Sequence, residues 1–347
     1  MSKGLDQFYT SRTISKSFTK SVEKYFKDFD IVLEPSAGDG SFFDLLPKNK
    51  RIGIDLEPRH NQIIQGDFFD FKPEKSKTYF TIGNPPFGKN SSLAIRFFNH
   101  AANFSSFIAF IVPRTFRKTF TQNKLNLSFE LISEEILPKN SFYGPSGELY
   151  DVPTVFQVWK KQAFDRQKTI IHKKHPDFDF LGTEDYTFKS VDVTVVNNSS
   201  YFGEANDTDR ETYAMSKMEL EQIRIFRDKY PRFFSSHRIS KAKKKIVWIN
   251  KPDFAWRRAG SRAGEVFEDF ESCPTQGFEF IKLNNPCVHN IFHKMWTEAW
   301  NPDEKNPKLN EKWDTAGQPS ISKHELICRY IKTKNNLLTD SPPPVTL

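Results

Sequence analysis

Cysteine is scarce in this chain. Its 347 residues include only Cys273, Cys287 and Cys328. That excludes the disulfide framework of a small secreted domain and fits a reducing compartment. Long apolar runs are also missing. The longest, residues 107–113, falls far short of the roughly 20 residues a membrane-spanning helix needs. Met1 to Asp6 carry no secretory apolar stretch, so a soluble intracellular protein is expected. No Ser/His/Asp triad or paired-carboxylate motif stands out. No CxxC pair accompanies Cys287-x-His289-x-x-x-His293, and with Ile291 and Phe292 inside it the stretch reads as ordinary helix packing. No metal is therefore expected.

What is present argues for a folded, nucleic-acid-facing protein. Charged residues make up 27% and phenylalanine alone numbers 35, which supports a packed core rather than disorder. The length allows one large domain and a smaller one. The net charge of +8 is concentrated. Residues 231–264 hold ten Lys/Arg against one acid, Asp253, so the remainder is close to neutral. One basic segment in a neutral chain is the footprint of a polyanion binder. Lys241, Lys243, Lys244, Lys245, Arg257, Arg258 and Arg262 are the expected backbone contacts. Trp248, Phe254 and Trp256 lie among them and suit exposed bases, although either tryptophan taken singly reads better as core.

The chemistry centres on Asn84-Pro85-Pro86-Phe87. It follows the apolar run Tyr79-Phe80-Thr81-Ile82-Gly83, which reads as a buried strand stopped by proline. Asn84 is thus expected at the carboxyl end of a strand, where open α/β sheets bind ligands. Its side-chain oxygen and the Pro85 carbonyl are two acceptors on a stiff backbone, and Phe87 offers a flat apolar face beside them. That combination suits an exocyclic amino group on a planar ring. Drawing both N–H hydrogens toward acceptors frees the nitrogen lone pair for attack without a strong base.

Further strand ends precede it. Ile31-Val32-Leu33-Glu34 leads into Pro35-Ser36-Ala37-Gly38-Asp39-Gly40, where two glycines allow a tight turn and close approach to a ligand. Residues 41–46 read as the start of a helix facing that ligand. Ile52-Gly53-Ile54-Asp55 ends a second strand with an acid able to accept from ribose hydroxyls. Ile63 to Phe68 ends a third with Asp67 and an aromatic. Asp67 suits an adenine amino group and Phe68 the ring face.

Asn-Pro-Pro-Phe resembles motif IV of the S-adenosylmethionine-dependent amino-methyltransferases, the adenine-N6 enzymes above all. Glu34-x-x-Ala37-Gly38-x-Gly40 resembles their motif I. It lacks the Gly-Lys-Ser/Thr of a Walker loop and the third glycine of a dinucleotide fingerprint. Asp55 with Leu56 resembles motif II, Asp67 with Phe68 motif III, and Phe8-Tyr9-Thr10 motif X. The resemblance implies that these residues hold S-adenosylmethionine, with Tyr9 and Thr10 at its methionine end, and that Asn84, Pro85, Pro86 and Phe87 are catalytic. It also implies an aromatic between residues 139 and 151 stacking on a flipped base. Phe142 is favoured, with Tyr143 and Tyr150 as rivals. Motif X before motif I, motif IV after, and extra chain at the C-terminal side resemble the gamma arrangement of DNA amino-methyltransferases.

Further along, residues 212–230 read as a helix with Met215, Met218, Leu220 and Ile223 on its apolar side. Residues 323–332 read as another, capped by Ser322. The expected architecture is a Rossmann-like class I methyltransferase domain with a mainly parallel sheet over residues 1–165. A mixed α+β, basic target-recognition domain over 166–347 follows it. The expected reaction is methyl transfer from S-adenosylmethionine to adenine N6 in DNA. Alternatives are the same chemistry on RNA, methylation of a protein glutamine, and a non-catalytic nucleic-acid-binding subunit.

Overall fold

The computed structural model describes residues 8–144, 146–197, 214–216, 237–260, 262–270, 273, 277–296, 314 and 320–339. The chain divides into two compact units. One comprises residues 1–173, 258–265 and 294–347, the other 174–257 and 266–293. A single boundary near residue 165 does not describe this division, because the chain returns to the first unit twice.

The first unit is built on a seven-stranded sheet. Its strands are β1 (Ile31–Pro35), β2 (Arg51–Asp55), β3 (Ile64–Gln65), β4 (Tyr79–Gly83), β5 (Ser105–Pro113), β6 (Phe129–Ile136) and β7 (Thr154–Lys161), in the order β3-β2-β1-β4-β5-β7-β6. The first five run parallel, and β7 is antiparallel to both β5 and β6. This is the Rossmann-like sheet of class I methyltransferases.

Alternation along the strands divides the apolar residues between two cores. Leu33, Tyr79, Ile108 and Phe110 join one with Ala94, Phe98 and Ala101 of helix α2 (Ser92–Ala102). Val32, Phe80, Ala109 and Ile111 join the other with Phe18 and Val22 of helix α1 (Arg12–Val22). Helices thus cover both faces, and the strands read as near-continuous apolar runs for that reason. Phe26 continues the apolar stripe of α1, but from a 3-10 segment, Glu23–Asp28.

Two local expectations fail. No α-helix follows the glycine turn. Residues there form only a 3-10 turn, Phe43–Leu45, and Pro47 stops further winding. The third strand shrinks to Ile64–Gln65, with Asp67 capping a 3-10 turn at Phe68–Asp70.

The C-terminal helix of this unit, Lys323–Thr339, starts as expected. The Glu325 N–H donates to Ser322 Oγ, and the Ser322 N–H donates to Glu325 Oε2 at 2.7 Å, a reciprocal capping box.

The second unit is antiparallel among its described residues. Strands β8 (Phe178–Leu181), β12 (Phe254–Arg257), β13 (Val266–Phe267) and β14 (Phe278–Leu283) form one sheet in the order β8-β14-β12-β13. Strands β9 (Tyr186–Asn197), β10 (Ala214–Ser216) and β11 (His237–Trp248) form another, with β9 central. Residues 214–216 are therefore extended, not helical. The rest of the expected helix at 212–230 lies outside the described residues. Trp256 is fully buried, and Trp248 packs against a core that includes Phe280 and Phe270. A short helix, α3 (His289–Met295), packs Phe292 against Phe178 and Phe254.

Candidate active site

The chain leaves β1 in one direction across the sheet, to β2 and β3, then returns to β4 on the other side of β1. Open α/β sheets form a crevice at such a reversal, beyond the carboxyl ends of the strands. A cleft of about 340 Å³ lies there.

Tyr9, Gly38, Asp55 and Leu56 line one part of it, Asp67 and Phe68 another. Asn84, Pro85, Pro86 and Phe87 complete the wall. Four strand ends recognised separately in the sequence thus meet in one space. Thr10, Glu34, Ala37, Gly40 and Phe142 are not on its surface.

Gly38 and Asp55 form the best-defined corner. Gly38 has φ +50°, and its N–H donates to Asp55 Oδ2 at 2.8 Å. The Glu57 N–H donates to Asp55 Oδ1, also at 2.8 Å. The carboxylate is thereby fixed, yet each oxygen keeps a lone pair for a further donor. A Cβ on Gly38 would come within 3.1 Å of the Tyr9 ring. Tyr9 is flanked by the Arg59 guanidinium, 4.8 Å from its ring centre. Burial raises the Tyr9 phenol above its ordinary pKa, with Arg59 pulling the other way. Gly40 has φ +83°, but the atom a Cβ there would meet belongs to His60, 3.2 Å away. Gly40 serves the turn and not the cleft wall.

Asn84 follows directly on β4. Its Nδ2 donates to the Phe8 carbonyl at 3.3 Å. Its Oδ1 is buried and has no hydrogen-bond partner. A buried acceptor left unpaired costs about 1–3 kcal/mol, so it marks a place where a donor is wanted. Phe87 packs against both cores, and its carbonyl accepts from the Leu93 and Ala94 N–H groups at the start of α2. Between them the backbone is contorted, with positive φ at Gly88, Asn90 and Ser91. Such outliers persist where surrounding structure over-determines them, often beside a functional site.

Glu34 is buried at 2% exposure, and its Oε2 has no partner. Burial pushes its carboxyl well above the usual carboxylate range, with the Phe43 backbone pulling it back. It packs under Gly83, whose Cβ would come within 3.1 Å of Glu34 Cγ. Thr10 is buried in a two-residue strand opposite Phe142, and Ala37 sits in a small core with Phe43 and Ile63.

Phe142 requires a correction. It is 1% exposed, packed in the core that contains Phe18 and Phe156, so its ring is not available to stack on a ligand. Of the rivals, Tyr143 stacks on Tyr9 at 5.7 Å and donates its hydroxyl to Asp39. Tyr150 is exposed, with its ring 4.9 Å from that of Phe8, a cleft residue. It is the aromatic of that loop best placed beside the cleft.

Sequence reasoning missed Ser36 and Arg96. Ser36 is in the left-handed region at φ 61° and donates its hydroxyl to the Asn84 carbonyl at 3.3 Å, tying the glycine turn to β4. No local signal announces that. Arg96 lies on α2 between Leu93 and Phe97, lines the cleft, and sits 4.5 Å from the Phe69 ring centre. Its spacing from Leu93 was a usable signal.

The expected nucleic-acid residues are dispersed. Lys241, Lys243, Lys244 and Lys245 lie on β11, whose backbone pairs with β9; their side chains lie outside what is described. Arg257 is half-buried, between the rings of Phe267 and Phe278 at 5.2 and 5.0 Å, which sets it apart from a phosphate-facing cation. Arg258 is exposed, and Arg262 is exposed and pairs with Glu265. No described helix is long and apolar enough to cross a membrane.

No protein-family model matches the chain, and no curated protein does either. Several solved structures show a distant likeness. One is a candidate RNA methyltransferase from Pyrococcus horikoshii, at 16% identity and TM-score 0.37, over 46% of this chain and 88% of that one. The 23S rRNA methyltransferase ErmE aligns at 15% identity and TM-score 0.33, over 46% of this chain and 71% of its own. The modification subunit of a candidate type I restriction enzyme from Vibrio vulnificus YJ016 aligns at 12% identity and TM-score 0.34, over 72% of this chain and 60% of its own. Likenesses this distant say nothing of what the cleft binds, and the fold is carried by the strand order itself.

Proposed function

We propose that the chain is an S-adenosylmethionine-dependent methyltransferase acting on the N6 amino group of adenine in DNA. The observation that carries this reading is the unpartnered, buried Asn84 Oδ1 at the cleft wall, next to Pro85 and Phe87.

The cleft residues fit the donor molecule. Asp55 has lone pairs left for ribose hydroxyls, Asp67 is exposed at the opening for an adenine amino group, and Gly38 removes the Cβ that would crowd the space beside Tyr9. A volume of about 340 Å³ falls within the usual range for small-ligand sites, about 300–1,000 Å³. When bound, S-adenosylmethionine supplies an electrophilic methyl group on a sulfonium.

The residues of the chain do the rest by positioning. Asn84 Oδ1 accepts one hydrogen of the target amino group, and the Pro85 carbonyl accepts the other. The nitrogen lone pair is thereby turned out of ring conjugation. Phe87 stacks on the base from one side, with exposed Tyr150 as the second aromatic in place of the buried Phe142. A duplex substrate must flip its adenine to reach this position.

The test is incubation with a labelled methyl donor and separate DNA and RNA pools, followed by nucleoside mass spectrometry. N6-methyladenine in DNA is the expected product. N6-methyladenine in RNA alone moves the substrate to RNA, and methylcytosine moves the target base. Label in neither pool overturns the reading.

A further inference from the structure

The second unit carries ligating side chains that methyl transfer does not use. His289 and His293 stand four residues apart on α3, so both imidazoles leave the same face, with ring centres 5.0 Å apart. Glu268, directly after β13, reaches the same place. Its Oε1 lies 3.4 Å from His293 Nε2 and 4.0 Å from His289 Nε2. One ligand atom from each residue falls within 4.8 Å of the other two, the one such group of three among the described residues.

We propose that Glu268, His289 and His293 bind one divalent transition-metal ion of the zinc class. Two imidazoles and a carboxylate are the donor set such ions prefer, whereas magnesium and calcium take oxygen alone. A plain ion pair would employ one imidazole against the carboxylate. Here a second imidazole converges on the same oxygen, and a divalent cation at the centre uses all three as donors.

Tetrahedral zinc, with bonds of about 2.0–2.2 Å, spaces its donors by roughly 3.3 Å. Closing the trio to that spacing requires side-chain rotation and little more. The helix is already held, because Phe254 packs edge-on against His289 at 5.5 Å and against Phe292 at 4.8 Å. Glu268 and His289 also line an open depression with Asp253 and Lys282, so water can reach the ion and fill a fourth position. The ion would fasten α3 to the segment after β13. With no CxxC pair beside it and Ile291 and Phe292 inside it, the stretch from Cys287 to His293 reads as packing in the sequence alone. Glu268, 21 residues before His289 in sequence, supplies the donor that this reading lacked.

The full-length chain, stripped with EDTA, should be titrated with Zn²⁺ alone by calorimetry and with Co²⁺ alone by visible absorption. One equivalent should bind, with cobalt bands typical of low coordination number and a raised melting temperature. His289→Ala, His293→Ala and Glu268→Gln should each weaken binding more than about tenfold. All three positions are solvent-accessible, at 31%, 44% and 70% side-chain exposure, so these variants should fold, as circular dichroism would verify. Cys287→Ser should bind as the parent does. Unchanged binding in the His289→Ala/His293→Ala double variant, loss of binding only in Cys287→Ser, or no binding by the intact chain would each overturn the proposal.

Discussion

At the end of β4, Asn84 gives its Nδ2 to the Phe8 carbonyl and leaves Oδ1 without a donor. An acceptor used most strongly as the amino nitrogen changes geometry should matter more to turnover than to cofactor binding. Asn84→Ala should lower kcat by on the order of 10²-fold, with calorimetric affinity for S-adenosylmethionine near that of the parent. Asn84→Asp keeps an acceptor and should retain partial activity. Near-parental turnover by Asn84→Ala would remove this side chain from the mechanism. Glu34, on the neighbouring strand β1, makes a different prediction. Its folded pKa lies above the ordinary 4.5, so the folded chain holds the proton more tightly than the unfolded one. The stability this contributes is complete below the ordinary value and is lost as pH rises through the raised one. Glu34→Gln cannot ionise. Its melting temperature should therefore fall less than the parent's between mildly acidic and mildly alkaline buffer, and parallel pH profiles would count against a protonated Glu34.

Among the elements, the glycine turn between β1 and β2 is tightly constrained, with positive φ at Ser36, Gly38 and Gly40. Gly38→Ala puts a Cβ at φ +50°, where an L-residue costs roughly 1–2 kcal/mol, and within 3.1 Å of the Tyr9 ring. Binding of S-adenosylmethionine should weaken by about tenfold, the equivalent of roughly 1.4 kcal/mol, as read by calorimetry. Unchanged affinity would place the cofactor elsewhere. The strand ends of this crevice were legible because each is a short apolar run closed by a polar residue, a local signal with period and stop in one place. The helix expected after the turn was not, since Pro47 leaves it too few residues to propagate. Phe142 was misread for a non-local reason. Its direction is set by antiparallel pairing with Thr10, 132 positions earlier in sequence, and a shift of one residue would have turned the ring outward.

For the whole molecule, the concentration of basic residues remains the main support for a nucleic-acid substrate, and its prediction is thermodynamic. Each phosphate neutralised contributes about −0.9 to the slope of log affinity against log salt on duplex DNA, and about −0.7 on single strands. Replacing Lys243, Lys244 and Lys245 by alanine should weaken binding and make the slope shallower by roughly 2 to 3. Parental affinity and slope, measured by fluorescence anisotropy across a salt series, would show that this strand does not meet the backbone. The basic segment read as one block in sequence is shared between two units, with Arg257 in one and Arg258 in the other. That division has a consequence in time. The first unit includes residues 294–347, so a ribosome makes the entire second unit before it delivers the last parts of the first. Arg117 meets Glu134 only 17 residues on, but its other partner, Asp314, is 197 residues away, and Lys118 must wait 207 for Glu325. A message cut short after β7 would thus yield every wall of the cleft while withholding Asp314 and Glu325, the distant partners of Arg117 and Lys118.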